Sequence, residues 1–369
     1  MLRRSLFRKL LRARHAVVCG PALLLLTGLA CHPLLAAAAE ESAPAKLFAS
    51  DTTLEVTMTA PWKELETNAD HQGAYPARME YRDELGQAVQ LDMTVERRGI
   101  KRQEACRYPP LKLRFEKEAV KGTAFRGQKS IKMVTHCDKG KRFDQYYVLE
   151  MLIYRMYNLL TDYSFRVRPL QVNYVDSSNG KAVDNRFAFL IEDDGDVARR
   201  NDLKKLNVKR IGVGQLEPEM TGLFSLFQYM IGNVDWAALQ GPDYKDECCH
   251  NVKLIGPEPL QAGDFAIPVP YDFDSAGLVD AEYAAPPNGL PIESVTQRLY
   301  RGYCLHNETL EAARQQFLAQ EGAFLALIEN EPRLQSGAKK KATAFLEKFF
   351  ETARNPKRFQ DYIIERCRK

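Results

Sequence analysis

Alternating apolar and polar residues between about residues 51 and 135 restrict that part of the chain to strands. The apolar side chains recur at every second position in four segments: Leu54, Val56 and Met58; Val89, Leu91, Met93 and Val95; Leu111, Leu113 and Phe115; and Ile131 and Met133. Successive side chains of a strand point to opposite faces, so this spacing places the apolar residues together. We therefore predict an antiparallel sheet with one buried face.

The rest of the chain changes gradually from strands to helices. Apolar residues at spacings of three and four predict a helix from about residue 143 to 160, and strands follow at 166–175 and 185–192. Beyond residue 195 we predict helices at 217–232, 307–330, 338–354 and 356–367, and short strands at 251–255 and 265–271. This order predicts an α+β protein of two lobes, with a β-rich N-lobe at 51–195 and a mostly helical C-lobe at 196–369.

Residues 1–39 have the pattern of a secretory signal peptide. A basic segment without acids comes first, an apolar run from Ala16 to Leu29 follows, and alanines at 36–39 precede Glu40. This order predicts cleavage and export, so that the mature protein is periplasmic or secreted and begins with a connector at 40–50. Arg3 and Arg4 leave a twin-arginine route open beside the general secretory one. The remaining sequence has no second long apolar stretch, which predicts no stable membrane span.

The net charge of the mature chain and its cysteine count indicate which partners and which cellular compartment are expected. The chain has 52 basic and 48 acidic residues. Because residues 1–39 hold six of the basic ones and no acid, 46 basic and 48 acidic residues remain, a net charge of −2. That balance argues against a nucleic-acid partner. An even cysteine count after cleavage predicts disulfides, involving Cys106, Cys137, Cys248, Cys249, Cys304 and Cys367.

The cysteine positions favour one pairing and disfavour another. Cys106 and Cys137 lie in the same strand-rich region, so we expect them to bond to each other. Cys248 and Cys249 are adjacent, and we expect each to bond elsewhere. An adjacent pair followed by His250 is also poor geometry for zinc.

Four polar residues in the second half have an order that suits phosphoryl transfer. Asp235 follows an apolar helix, Asn251 opens a short strand, and Asp272 and Asp274 follow the next strand. An aspartate can orient or deprotonate an attacking hydroxyl, while an asparagine carbonyl and a carboxylate are hard oxygen ligands for Mg²⁺. Each residue alone also has an ordinary explanation as a helix cap or turn residue.

The β-rich half supplies candidate nucleotide-binding residues. Lys112 lies on a predicted strand from which it can reach phosphates, and Glu150 on the predicted helix can hold that lysine by an ion pair. Arg98 precedes a loop that can cover phosphates, and Glu192 ends the last strand of this lobe. Three nearby residues remain alternatives to Lys112: Lys129, Lys132 and Arg114.

Residues from about 50 to 300 resemble the CotH-like atypical kinases, secreted or spore-coat proteins with a divergent protein-kinase fold. The resemblance is carried by these segments: Arg98-Gly99, Pro109-Pro110-Leu111-Lys112, the helix around Glu150, Phe189-Leu190-Ile191-Glu192, Asn233-Val234-Asp235, Asn251 and Tyr271-Asp272-Phe273-Asp274. The departures from the family are a long insertion before Asn251 and the lack of a recognisable glycine-rich loop.

The resemblance implies a kinase-like bilobal fold, ATP with Mg²⁺ or Mn²⁺ as cofactors, and a protein hydroxyl as the acceptor. Asp235 would be the catalytic aspartate, Asn251 and Asp272 metal ligands, and Lys112 the nucleotide lysine. Asp274 would replace or assist Asp272. Two other hypotheses stay open: a catalytically inactive binding or envelope-structural protein, and an enzyme that transfers another group such as AMP or glutamate.

Overall fold

The structure is a computed structural model that describes residues 45–67, 73–99, 102, 106–108, 110–138, 140–241 and 248–369. The predicted signal peptide and the first residues of the connector, 40–44, lie outside the described residues. The chain from Glu41 to Lys369 belongs to one compact unit. Among the described helices, none is both long and apolar enough to cross a membrane.

Seven strands form a closed barrel. They are β1 (Leu54–Ala60), β2 (Tyr75–Arg82), β3 (Ala88–Arg97), β4 (Leu111–Phe115), β5 (Ser130–Val134), β6 (Val167–Asp176) and β7 (Ala182–Ile191). Their order around the barrel is β1, β2, β3, β4, β5, β7, β6, and β6 pairs back with β1. That closing pair is parallel, whereas the other neighbouring strands are antiparallel.

The alternating apolar residues fill the barrel interior. Met58 on β1, Leu91 on β3, Leu113 on β4 and Met133 on β5 are fully buried. Their neighbours along each strand are at least partly exposed, except Val134, which is buried. Full burial of such a side chain contributes about 1.5–3 kcal/mol relative to exposure. The strands predicted from the alternation are therefore confirmed.

Helices and a small second sheet lie outside the barrel. The helices are α1 (Trp62–Thr67), α2 (Lys141–Asn158), α3 (Asp194–Arg199), α4 (Pro218–Ile231), α5 (Leu310–Glu329), α6 (Ser336–Arg354) and α7 (Pro356–Tyr362). The second sheet has the order β10, β9, β8, with β8 at Lys204–Lys205, β9 at Val252–Gly256 and β10 at Ile267–Pro270. The predicted helices after residue 140 and the two short strands are confirmed within a few residues.

Helix α2 joins the barrel to the C-terminal elements through its aromatic side chains. The Tyr154 ring packs at 6.0 Å from Phe189 on β7 and at 4.7 Å from Phe273, just after β10. One turn further, the Tyr157 ring lies 4.6 Å from Phe227 on α4. Residues 147–154 of α2 are all buried, so the helix is enclosed on most of its surface and holds the end of β10 against the barrel.

The predicted fold class, a bilobal kinase-like α+β protein, is wrong. The N-terminal strands close into a mixed barrel through the parallel pairing of β1 with β6, instead of forming the sheet of an open lobe. The second half is not mostly helical, because the described residues between Ile231 and Cys304 contain two strands and no helix. Alternation indicates which face of a strand is buried, but the same alternation occurs in an open sheet and in a closed barrel. The sequence pattern therefore does not distinguish the two.

Two disulfides join residues that are far apart in the sequence. Cys106 and Cys137 are bonded, with their Cα atoms 4.6 Å apart, which confirms the predicted pair. Cys304 and Cys367 are bonded across 63 residues and connect the segment before α5 to the C-terminus.

The expectation for the adjacent cysteines is wrong, because Cys248 and Cys249 are bonded to each other. Adjacent side chains of an extended chain point to opposite faces, which favours separate partners. Here both sulfur atoms instead lie near the carbonyl oxygen of Ala238, at 3.7 and 3.1 Å.

The buried imidazole of His136 predicts a loss of stability in mild acid. Burial lowers its pKa to about 4, so the unfolded chain takes up a proton between pH 6.5 and 4 that the folded protein does not. The free energy of unfolding should fall over that interval by on the order of 3 kcal/mol. Urea unfolding at pH 7 and pH 4.5 measures this loss, which should be smaller in His136→Phe. An equal loss in wild type and His136→Phe would contradict the assignment.

Candidate functional site

The residues after β10 are held against α2 by a backbone hydrogen bond. The Asp272 N–H donates to the hydroxyl of Tyr154 at 2.9 Å, and Asp272 has a positive φ of 63°. Tyr154 lies one helical turn after Glu150, so the same face of α2 carries both side chains. The carboxylates of Asp272 and Asp274 are thereby brought to the part of α2 that carries Glu150.

A buried arginine connects two of these carboxylates. Arg102, in the connection between β3 and β4, donates from Nη2 to Glu150 Oε2 at 2.5 Å and from Nε to Asp274 Oδ2 at 2.8 Å. The exposed fractions of the three side chains are 9%, 1% and 11%. Hydrogen bonds between ionised partners are stronger than neutral ones. One side chain therefore links the barrel, α2 and the segment after β10.

Two carboxylates of this cluster, those of Glu150 and Asp272, are difficult to ionise. Burial raises the pKa of Glu150 to about 7, although the Arg102 charge opposes the shift. Burial and the neighbouring Asp274 charge raise the pKa of Asp272, while Arg102, Arg98 and Lys132 oppose that rise. Buried carboxylates with raised pKa values are typical of functional sites, because a bound cation would stabilise their charged form.

Lys132 on β5 lies at the other side of this cluster. Its Nζ is 4.7 Å from the centre of the Tyr271 ring, and Lys253 Nζ on β9 is 5.3 Å from the same ring. Burial, followed by the charges of Arg98 and Lys253, lowers the pKa of Lys132 to about 8. Within the described ranges no carboxylate is at ion-pair distance from Lys132 Nζ. The half-buried ammonium is thus available to an anionic ligand.

The loop after α4 positions Asp235. Gly232 ends the helix with φ of 68°, and a Cβ there would lie 2.8 Å from Phe345 Cζ, so the close approach requires glycine. The Asp235 N–H then donates to Asn233 Oδ1 at 3.0 Å, and Asp235 Oδ1 contacts His250 Nε2 at 3.0 Å. Asp235 is buried; Asn233 holds its backbone N–H, and His250 contacts its carboxylate.

Asn251 connects Asp235 to the residues after β10. Its side-chain Nδ2 donates to the backbone carbonyl of Asp235 at 2.7 Å. Its backbone carbonyl accepts the N–H of Tyr271 at 3.2 Å. Because Nδ2 is committed to the backbone, the orientation of Oδ1 is fixed as well. A continuous set of hydrogen bonds therefore joins Asp235, Asn251 and Tyr271.

The structure joins most of the predicted site residues by direct contacts, and Lys112 and Glu192 take no part in those contacts. Asp235, Asn251, Asp272, Asp274 and Glu150 are joined by the contacts above, and Arg98 is near enough to affect the pKa values of Asp272 and Lys132.

Lys112 lies on β4, directly opposite Lys132, and the partner of Glu150 is Arg102 instead of Lys112. Glu192 forms a buried ion pair with Arg200 at 3.1 Å and accepts the Arg166 N–H at 3.0 Å, so it holds the end of β7 against the chain after α3.

Sequence reasoning missed Arg102 and left Lys132 only as an alternative. Lys112 and Lys132 each lie between apolar residues of a short strand, so alternation does not distinguish them. Arg102 lies four residues before Cys106, and the disulfide of that cysteine was the only available signal that this connection is anchored to the barrel.

The oxygen atoms of the site fit a divalent cation in part. No group of three or more His, Cys, Asp and Glu side chains in the described ranges is arranged to hold a metal ion. Asn251 Oδ1 and the Asp272 carboxylate have the hard oxygen chemistry that Mg²⁺ prefers. Asp274 fits less well, because one of its oxygens is bound by Arg102. Phosphate groups fit the cationic side, where Lys132, Lys253 and Arg98 lie.

No known protein family matches this chain by its sequence profile, and no curated protein matches it. The resemblance to the CotH-like kinases therefore stays a prediction.

The enclosure of Lys132 predicts that its charge destabilises the free protein. With its pKa lowered to about 8, the free energy of unfolding should rise as pH increases from 8 to 10.5, where the unfolded chain binds the extra proton. At pH 7, Lys132→Met should raise the free energy of unfolding by about 1–2 kcal/mol, after loss of the cation–π contact with Tyr271. Lys112→Met is the matched control and should change it little. A Lys132→Met protein no more stable than Lys112→Met would contradict this account.

Proposed function

We propose that this protein binds ATP with Mg²⁺ or Mn²⁺ and transfers a phosphoryl group to the hydroxyl of a protein substrate. The observation that carries the proposal is the largely buried Lys132, which has no carboxylate at ion-pair distance among the described residues and lies near Asp272, whose pKa is raised. A site with an enclosed unpaired cation and adjacent oxygen ligands suits a polyanion that binds together with a divalent metal.

The cationic side of the site would bind the phosphates of the nucleotide. Lys132 and Lys253 both contact the Tyr271 ring, and Arg98 adds a third positive charge. These charges repel one another in the free protein, so binding an anion relieves repulsion as well as forming new contacts.

Asp272 and Asn251 would hold the divalent cation, which supplies charge stabilisation for the transferred phosphoryl group. Asn251 is suited to this role because its amide nitrogen is bound to the Asp235 carbonyl, which orients Oδ1. Asp272 is suited because its backbone is held by Tyr154. The protein thus provides two pre-oriented oxygen donors on adjacent segments.

Asp235 would orient the acceptor hydroxyl and take its proton. His250 contacts one oxygen of the carboxylate, and Asn233 holds the backbone N–H of Asp235, so both the side chain and the main chain of the base have a partner. Asn251 links Asp235 to the segment that carries Asp272, so the base and the metal-binding residues move as one unit.

The proposed place of action is outside the cytoplasm, as the signal-peptide pattern of residues 1–39 predicts. Disulfides such as Cys106–Cys137 are typical of oxidising compartments. ATP is scarce there, so either the protein acts before or during export, or it meets ATP in an unusual setting. Membership of the CotH-like family is part of the same proposal and rests on the residues quoted above.

Substitution of the acidic residues tests the catalytic proposal. Asp235→Asn and Asp272→Asn should each lower phosphoryl transfer from ATP by about 10²-fold or more, because one removes the base and the other a metal ligand. Lys132→Ala should lower activity strongly, whereas the control Lys112→Ala should retain it. Turnover with Mg²⁺ or Mn²⁺, followed by mass spectrometry of the modified protein, measures the rate and identifies the transferred group. Equal activity in all the variants would refute the proposal.

A non-catalytic binding or envelope-structural protein is the second candidate. Two observations favour it: Asp274 is bound by Arg102, and Asp235 is bound by His250. Thermal unfolding separates the candidates, because a nucleotide that binds only the folded state must raise the melting temperature. An unchanged melting temperature with millimolar ATP and Mg²⁺ would favour this second candidate.

A further inference from the structure

We propose that the Cys248–Cys249 disulfide is a redox-active site that an external dithiol reduces, and that its reduction loosens the contact between His250 and Asp235. In this exchange the bond between the two cysteine sulfur atoms breaks and two thiols form. The dithiol supplies the two electrons and two protons and becomes a disulfide itself. This chemistry does not depend on the proposed function; only the consequence for Asp235 as a base rests on that function.

The Cys248–Cys249 bond closes the shortest possible loop. Its cysteines are adjacent, whereas those of the other two disulfides among the described residues are 31 and 63 positions apart. A disulfide restrains the unfolded chain less when the loop that it closes is shorter, so this bond adds the least to the stability of the fold. Its reduction therefore costs the least folding free energy, and we expect it to be reduced before the others.

One of the two adjacent cysteines is partly exposed. Cys248 is buried, but Cys249 is only partly buried, whereas both cysteines of the Cys106–Cys137 disulfide are buried. Thiol–disulfide exchange begins with the attack of a thiolate on one sulfur atom and displaces the other, so access from one side is sufficient. An external dithiol therefore has a route to this bond through Cys249.

The disulfide lies beside the two segments that bring His250 to Asp235. Ala237 and His250 exchange both of their backbone hydrogen bonds, at 2.9 and 3.0 Å. Both sulfur atoms of the disulfide lie against the carbonyl of Ala238, the next residue along the chain. The bond therefore holds the residues directly before His250 against the segment that directly follows Asp235.

Reduction changes the packing at this point. Two thiols cannot stay at the bonding distance of about 2 Å, so the two sulfur atoms must separate beside the Ala238 carbonyl. Because Cys249 directly precedes His250, this separation moves the backbone that carries the imidazole. The contact that it loosens is the one between His250 Nε2 and Asp235 Oδ1, which is 3.0 Å in the oxidised form.

Redox titration of the folded wild-type protein tests the first step. The protein is equilibrated in mixtures of reduced and oxidised dithiothreitol, the thiols are blocked with iodoacetamide, and mass spectrometry measures the alkylated fraction of each cysteine. Cys248 and Cys249 should be half reduced at a ratio of reduced to oxidised dithiothreitol at least tenfold lower than the ratio for Cys106 and Cys137, the internal control. Equal ratios, or earlier reduction of Cys106–Cys137, would overturn the inference.

Modification of His250 by diethyl pyrocarbonate tests the second step. At a dithiothreitol ratio that reduces only Cys248–Cys249, the modification rate of His250 should rise at least threefold, because Asp235 holds the imidazole less firmly. The buried His306, whose Nε2 contacts the Val213 carbonyl at 3.2 Å, is the control and should keep its rate. An unchanged rate at His250 would overturn the inference. Because no nucleotide is present, this result is separate from the phosphoryl-transfer assay.

The double variant Cys248→Ser with Cys249→Ser lacks the bond without any reductant. It should show the faster modification of His250. It should also lower the melting temperature less than Cys304→Ser with Cys367→Ser does, because that pair closes a much longer loop. An equal or larger loss of melting temperature in the Cys248→Ser, Cys249→Ser protein would show a structural disulfide and overturn the inference.

Discussion

The ion pairs of Arg102 with Glu150 and Asp274 are the interaction on which the arrangement of the site depends. Burial raises the pKa values of Glu150 and Asp272, and a single guanidinium binds both Glu150 and the neighbouring Asp274. Removing one partner of a buried pair costs several kcal/mol, because a charge is left unpaired. The strand β10, the helix α2 and the connection between β3 and β4 are therefore held together by charges that a ligand can also use.

The barrel provides a rigid surface for this cluster. Its closure by the pairing of β1 with β6 fixes β5, and the outer side of β5 presents Lys132 towards Tyr271. Helix α2 packs its tyrosines against both β7 and the residues after β10, so the cationic and acidic sides keep a constant separation. Opposite charges are thus supplied by independent elements, and in the part of the chain that the structure describes no carboxylate lies at ion-pair distance from Lys132, although the charges of Asp194 and Asp272 act on it.

Local sequence patterns predicted most elements but not their assembly. Alternation located the strands, and helical spacing located α2 and α4–α6, because both depend on neighbouring residues. The parallel contact of β1 with β6 depends on residues more than 100 positions apart, so no local pattern signals barrel closure. In the site, the order of Asp235, Asn251 and Asp272 was visible, whereas Lys132 could not be distinguished from Lys112. Arg102 reaches Glu150 only through the tertiary fold.

Chemical labelling of lysines at pH 8 tests most directly whether Lys132 binds the nucleotide. With its pKa lowered to about 8, Lys132 carries more of the neutral, nucleophilic amine at that pH than a lysine of ordinary pKa, so limiting acetic anhydride should acetylate it. Mass spectrometry with and without ATP and Mg²⁺ then compares Lys132 with Lys112. The account predicts that ATP with Mg²⁺ protects Lys132 and leaves the labelling of Lys112 unchanged. Equal labelling of Lys132 with and without the nucleotide would contradict it.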